Sequence, residues 1–407
     1  MNFDFSEARK LKRFPFLDAA RGVACIGVVA CHCDLAYLFH WYWGVMDFFF
    51  VMSGFLITRS LVLNCDKGRG VMPFYLYRAL RLLPAYLLVM LVYEVSALTV
   101  GWGRSLNSLP YVFFYQHTDL IFGYEEIFPR IHSLIPYWSL ILEEHYYMLW
   151  GLFFCTLAYA RLRITPVTIG AVVLMLCGAM LLRKLGVFWW TLPARFDGFL
   201  LGSISGIVVF MPRKVEISAR WRNGLLWAGF FVAAAALLRL LWSCRLSYRV
   251  DLAIYNRGQW LDVTCFSIVS VVLVLGMVMI DTRRIHLGRL QNWCAFIGLV
   301  SYEIYLTHFP LIVFLKRVFG FGSEDGKVTL FLVVMALSTV IAHLMHRTLT
   351  APALKKRESI LAFFEKRFSN GSRVTARTAA TGAATVGPIA SGACEVGEIA
   401  PRPEIAE

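Results

Sequence analysis

The sequence predicts an all-α fold, a polytopic membrane helix bundle with about ten transmembrane helices and both termini cytoplasmic. Three observations carry this expectation. Of the 407 residues, 58% are hydrophobic and only 16% charged, and the mean hydropathy is +0.63; a soluble domain carries about 25% charged residues. Apolar runs long enough to cross a bilayer recur along the whole chain. The cationic residues, finally, are shared very unequally between alternate connections.

In chain order, the expected spans are 17–37, 43–63, 82–102, 134–159, 166–183, 196–211, 223–243, 261–280, 294–315 and 328–347. Numbering the connections alternately, one side receives Arg9, Lys10, Lys12 and Arg13, the Arg59–Arg81 segment, Arg161 and Arg163. It also receives Arg213, Lys214, Arg220, Arg222, Arg283, Arg284, Arg289 and the basic C-terminal segment. With Arg21 this is 28 of the 40 lysines and arginines. Basic loops remain cytoplasmic, which sets both termini inside. The net charge of +14 is therefore a topological signal, and no nucleic-acid partner is expected. The first apolar run carries Asp18 and Arg21 and lacks a small-residue cleavage site, so no cleavable signal peptide is expected. Of the ten cysteines, Cys25, Cys31, Cys33, Cys155, Cys177, Cys265 and Cys294 fall within apolar spans, where cysteine acts as a small hydrophobe.

The domain organisation follows: a cytoplasmic N-terminal segment 1–16, a transmembrane domain 17–348, an interfacial amphipathic segment 349–368 and a disordered cytoplasmic tail 369–407. "APALKKRESILAFFEKRF" pairs Leu354, Ile360, Leu361, Phe364 and Phe368 with cations, the pattern of a helix lying on a membrane surface. From Ser369 onward no aromatic residue occurs. The outer loop 103–133 is aromatic and polar by turns, suited to packing over the outer mouth. No repeat or matched pair of broken helices is visible.

Charged groups in the apolar phase cost at least about 2.5–3.5 kcal/mol each on insertion scales, so they mark functional sites by default. In "LDAARGVACIGVVACHCD", Arg21 and His32 are eleven residues apart, which at ~100° per residue returns them to one face within about 20°. Asp18 and Cys25 share that face. Cys31, His32 and Cys33 look like metal ligands, yet consecutive helical side chains diverge by ~100° and cannot converge on one ion, so no metal is expected. His32 is then a hydrogen-bonding group between helices or a base able to take a hydroxyl proton at about pH 7.

Other polar residues carry similar pairs of readings. Asp47, near the outer end of the second span, either orients His32, binds substrate or is merely solvated. Arg78 and Arg81, one turn apart, either grip a polyphosphate or anchor the chain at the inner face. Glu143 and Glu144 sit in "PYWSLILEEHYYMLW", with Trp138 and Ser139 a turn upstream. Adjacent residues face different ways, so one glutamate faces the bundle interior, where it could hold His32 in the correct tautomer. Arg195 stands with Asp197 at the outer start of a span; Tyr302, Glu303 and His308 lie in "GLVSYEIYLTHFPL". Glu303 and His308 diverge by ~140° and do not share an ion. His308 is a packing residue or an outer substrate contact.

Taken in order, "RGVACIGVVACH", "DFFFVMSGFLI", "RALR" before a proline, "WSLILEEHYY", "RFDGFLLG" and "SYEIYLTHFP" resemble the acyltransferase type 3 family of integral membrane acyltransferases, over about residues 13–348. The resemblance implies transfer of an acyl group, usually acetyl from acetyl-CoA, to a hydroxyl of a sugar or related acceptor. It implies that His32 is the essential histidine, with Glu143 as the accompanying acid. Arg78 and Arg81, with Arg21, would bind the acyl-CoA. Asp47, Trp138, Ser139, Arg195, Tyr302 and His308 would bind substrate. The departures are His145 and Tyr146 where Gln-Phe is usual, and Thr307 where an aromatic is common; they bear on the acceptor pocket. No SGNH-type domain follows the core, so a stand-alone version is expected.

The expected protein is thus a multi-pass enzyme of the cytoplasmic (inner) cell membrane. Its partners would be the bilayer, acyl-CoA, a glycan or glycolipid acceptor and, as an allowed assembly, a second copy in a homodimer. His32 would act in the outer half of the first span, as base or as acyl carrier. Two rivals remain: a transporter or flippase of a glycan-linked substrate, and a structural membrane partner whose charges only pair helices.

Overall fold

The computed structural model describes residues 6–35, 42–66, 71–100, 136–159, 166–186, 192–210, 229, 231–241, 261–285, 288–320 and 326–363. The outer loop 103–133, the tail 369–407, both ends of the predicted seventh span and the cations Arg161, Arg163, Arg213, Lys214, Arg220 and Arg222 lie outside these residues. The chain divides into two compact units, Met1–Arg357 and Glu358–Glu407; the description below concerns the first.

Among the described residues the elements are helices throughout: α1 (Ser6–Lys10), α2 (Pro15–Ala30), α3 (Tyr42–Asp66), α4 (Met72–Val100), α5 (Trp138–Tyr159), α6 (Pro166–Lys184) and α7 (Leu192–Phe210). They continue as α8 (Phe231–Leu241), α9 (Asp262–Thr282), α10 (Arg289–Leu299), α11 (Ser301–Phe319), α12 (Lys327–Met345) and α13 (Ala351–Lys355). Every predicted span window contains helix. Among the described residues six stretches are individually long and apolar enough to cross a membrane, and α10 with α11 adds a seventh as a pair bent by 71°. The protein is an all-α, multi-pass membrane protein.

Helix ends follow local chemistry. Pro15 opens α2, where its missing N–H costs nothing, and Asp18 in the first turn bonds Arg13 at 3.1 Å. α11 stops at Gly320, whose left-handed φ of 66° lets its N–H reach the Lys316 carbonyl.

Three predicted spans differ in detail. The first is not one straight helix: the backbone kinks at Cys33 (φ −89°, ψ 18°) and Asp34 (φ 63°, ψ 23°), and Asp34 pairs with Lys316 at 2.5 Å. The break falls after His32, so His32 keeps the Arg21 face and lies about 16 Å farther along the helix, at 1.5 Å per residue. α4 begins at Met72, ten residues earlier than expected, and carries Pro84 inside it. Proline withholds its N–H from the carbonyl four residues back, and Tyr302 donates its hydroxyl to the nearby Leu82 carbonyl at 3.2 Å. The ninth predicted span breaks at Val300 (φ −98°, ψ 11°), where the Ser301 hydroxyl donates to the Gly298 carbonyl at 2.9 Å.

α3 is the central element, packed on α7 and α9, while α2 packs on α10. Both contacts need glycine. A Cβ on Gly54 would enter the Phe199 carbonyl, and one on Gly298 the carbonyl of Asp18; without it the backbones approach closely enough for dispersion to act along the whole contact. The stacked rings of Phe50, Phe199 and Tyr146, with centroids 4.5 Å apart in each pair containing Phe199, fill the space beside them. Two buried ion pairs finish this region. Asp47 accepts from Arg195 at 2.6 Å. Asp197 takes the Arg183 fork through bonds of 3.1 and 2.7 Å and accepts from the Thr264 hydroxyl at 2.6 Å.

Candidate active site

A cavity of about 600 Å³ opens between α2, α3, α4, α5 and α11 and the residues following α12. Its lining is cationic. Lys12, Arg13, Arg21, Arg59, Arg78, Arg81 and Arg357 face Asp18, Glu143 and Glu303 across it. The three carboxylates are already engaged. Asp18 bonds Arg13. Glu143 accepts from Ser53 and Tyr147, each at 2.6 Å. Glu303 accepts from His346 at 3.2 Å and Thr350 at 2.9 Å. Arg21 and Arg81 stand within electrostatic reach of each other, and the Arg78 guanidinium packs over the Tyr147 ring at 4.4 Å from its centroid. Like charges gathered beside occupied carboxylates favour a polyanionic ligand.

The predicted acyl-CoA residues Arg21, Arg78 and Arg81 all line this cavity, as do Glu143, Ser139 and Tyr302. Of the two adjacent glutamates, Glu143 is the one facing it. The other predicted residues are elsewhere. Asp47 and Arg195 are spent on each other, both fully buried, with Trp138 beneath Arg195 at 5.9 Å from its ring centroid. One oxygen of Asp47, Oδ2, is buried without a hydrogen-bond partner.

His32 does not line the cavity. Beyond the wall formed by Cys25, Ser139 and Tyr305, its Nδ1 meets Nε2 of His308 at 2.9 Å, the rings lie 5.1 Å apart, and Phe309 sets its edge against the same imidazole. Among the described residues no hydrogen bond joins Glu143 to His32, so the pairing expected from sequence is replaced by two separate ones. Tyr305 stands between the two groups. Its hydroxyl contacts Ser139 at 2.7 Å and donates to the Pro136 carbonyl at 2.5 Å, while its ring centroid lies 5.3 Å from that of His308.

Sequence reasoning missed four cavity residues with chemical duties: Ser53, Tyr147, Tyr305 and His346. Tyr147 was within reach, since it follows Glu143 by four residues, the spacing of helical neighbours. Ser53 reads as a packing residue beside Gly54, and nothing local ties His346 to Glu303.

Residues 14–347 match the model of the family described as an acyltransferase domain. The chain belongs to that family. Among curated relatives of this chain, the O-acetyltransferase OatA of Staphylococcus aureus is 26% identical over 398 residues, covering 91% of this chain and 62% of the relative. The putative peptidoglycan O-acetyltransferase YrhL of Bacillus subtilis is 27% identical over 334 residues, covering 76% and 50%. The peptidoglycan O-acetyltransferase OatA of Listeria monocytogenes is 25% identical over 378 residues, covering 84% and 56%. The chain thus spans between half and two thirds of the length of these relatives. No solved structure matches it.

Proposed function

We propose that this protein is a membrane O-acyltransferase that moves an acetyl group from acetyl-CoA to a hydroxyl of a glycan or glycolipid at the cytoplasmic membrane. The observation that carries the reading is the cationic cavity, with seven lysines and arginines around three carboxylates that already have partners. Guanidinium forks suit phosphate oxygens, and the uncharged Cys25, Ser139 and Tyr305 line the same cavity, which suits an acylated pantetheine arm. Family membership and the names of the relatives support an acetyl group and a cell-wall glycan such as peptidoglycan as acceptor.

In this reading acetyl-CoA is a substrate consumed at each turnover. Arg78 and Arg81 bind its phosphates from α4, and Arg21 faces them from α2. The thioester end advances past Tyr305 toward His32. His32 takes the proton of the acceptor hydroxyl, the oxygen attacks the thioester carbonyl, and the carbon–sulfur bond breaks. The proton returns from His32 to the departing CoA thiolate, leaving an ester and free CoA. Both termini are cytoplasmic, so the cavity opens on the side where acetyl-CoA is made. Asp47 and Arg195 hold α3 against α7 rather than touching the donor.

The test is the purified full-length protein in liposomes with acetyl-CoA and an N-acetylglucosamine oligomer, followed by free thiol release and product mass. Ester formation with stoichiometric CoA release is expected, and His32→Ala abolishes it at unchanged expression. Replacing Arg78 or Arg81 by Ala raises KM for acetyl-CoA about tenfold or more, as loss of a charge-assisted bond of about 1.5–3 kcal/mol requires. Full activity in His32→Ala, or glycan flux with no CoA released, overturns the reading.

A further inference from the structure

We infer that His308 is the positioning residue of the reaction: it holds His32 in a single tautomer and leaves Nε2 of His32 as the reacting nitrogen. The inference rests on the reading of His32 as the base, and goes beyond it in naming which nitrogen acts and what selects it.

The argument is one of hydrogen-bond direction. Nδ1 of His308 lies 2.8 Å from the Tyr305 carbonyl and 3.2 Å from that of Ile304. A carbonyl oxygen can only accept, so Nδ1 of His308 carries the hydrogen. His308 is fully buried and among the described residues no carboxylate is bonded to it, and a neutral imidazole has one donor and one acceptor nitrogen. Its Nε2 is therefore the acceptor. Nδ1 of His32, 2.9 Å away, must be the donor. Nε2 of His32 then keeps its lone pair, and among the described residues nothing bonds to it.

The arrangement is built rather than incidental. The backbone stays helical through His32 and breaks only at Cys33 and Asp34, and the 71° bend before α11 sets the direction of the helix that bears His308. Phe309 and Tyr305 confine the two rings, with centroids 5.2 Å from His32 and 5.3 Å from His308. His32 itself is only partly buried, so an acceptor hydroxyl can approach it. When that hydroxyl gives its proton to Nε2, the imidazolium keeps donating through Nδ1 to the His308 lone pair. The charge that develops in the transition state thus has a fixed acceptor, the duty a carboxylate performs in a serine-protease triad. Nothing else has to move, because the backbone carbonyls of Ile304 and Tyr305 hold His308.

The experiment compares His308→Leu and His308→Gln in full-length protein in liposomes, with acetyl-CoA and the N-acetylglucosamine oligomer as probes. Leucine fills the space without an acceptor, whereas glutamine can place a carbonyl oxygen where Nε2 stood. The expected result is a kcat about 100-fold lower in His308→Leu, with KM for acetyl-CoA within twofold of the parent, and kcat within tenfold of the parent in His308→Gln. Unchanged kcat in His308→Leu overturns the inference, as does an equal loss in both variants when both remain monodisperse. Should the leucine variant fail to fold, ¹⁵N-histidine NMR of the parent protein decides, with the His32 signals assigned by their absence from His32→Ala. A protonated Nδ1 and bare Nε2 are expected; the opposite tautomer overturns it. Retained activity in His32→Ala would instead sink the functional reading itself, so the two failures are distinct.

Discussion

Glu143 shows how one side chain can be read correctly as to place and differently as to partner. Its two oxygens accept hydroxyl protons from Ser53 and Tyr147 at 2.6 Å each, so the carboxylate links α3 to its own helix at the cavity wall. Glu143→Gln keeps one acceptor oxygen and turns the other into a donor, which strands one hydroxyl. The expected destabilisation is about 1–3 kcal/mol, read as a lower melting temperature in detergent, with Tyr147→Phe in the same background recovering part of the loss. Asp47 and Arg195 make a sharper case, since both are buried to within 1% exposure. Asp47→Asn removes the charge that Arg195 bonds at 2.6 Å and should cost about 3–5 kcal/mol; an Asp47→Leu, Arg195→Leu double variant that melts closer to the parent would show that the single loss is mostly desolvation. That these residues were special was legible from charge in an apolar run. Which of them pair was not, because the partners come from helices 148 and 90 residues apart in sequence for Asp47–Arg195 and Ser53–Glu143.

At the scale of elements, close helix contacts position the site. Gly54 sits one residue from Ser53 and lies against the Phe199 carbonyl of α7. Gly54→Ala must push α3 from α7, and overpacking of this kind costs about 1–3 kcal/mol. It should also disturb the neighbouring Ser53–Glu143 bond, so reduced folded yield by size-exclusion chromatography is expected together with reduced activity in the protein that does fold. Helix existence was readable at every predicted span from apolar length alone. Helix interruption was not: the kink at Cys33 and Asp34 and the break at Val300 fall inside predicted spans, where hydropathy taken over a whole span does not record a change in backbone hydrogen bonds. His32 sits just before the first of these breaks, and its partner His308 lies on the helix that follows the second.

For the whole molecule, the arrangement of charge is the feature with consequences. Cations gather at the cavity, where Lys12, Arg13 and Arg59 join Arg78 and Arg81 from separate segments. Electrostatic attraction of a polyphosphate there is screened over about 10 Å at 0.1 M salt and about 3 Å at 1 M. KM for acetyl-CoA should therefore rise with ionic strength, while kcat changes little; a KM independent of salt would argue against a phosphate-binding role for this lining. Topology is tested separately: a C-terminal reporter that reacts only in the cytoplasm should be active, and an inactive one would invert the orientation inferred from the basic loops.

By itself the sequence determined the class of the molecule, the approximate places of its helices, the family to which it belongs and three of the arginines that line the cavity, Arg21, Arg78 and Arg81. Those properties depend on composition, on apolar length and on the spacing of neighbours along one helix, all of which are local. Only the tertiary structure decided that Glu143 serves Ser53 and Tyr147, that Asp47 holds Arg195, and that His32 turns to His308. Each of those choices is a hydrogen bond between distant segments, set where an irregular turn or a glycine contact brings two helices to within about 3 Å of polar contact, and no local pattern records it.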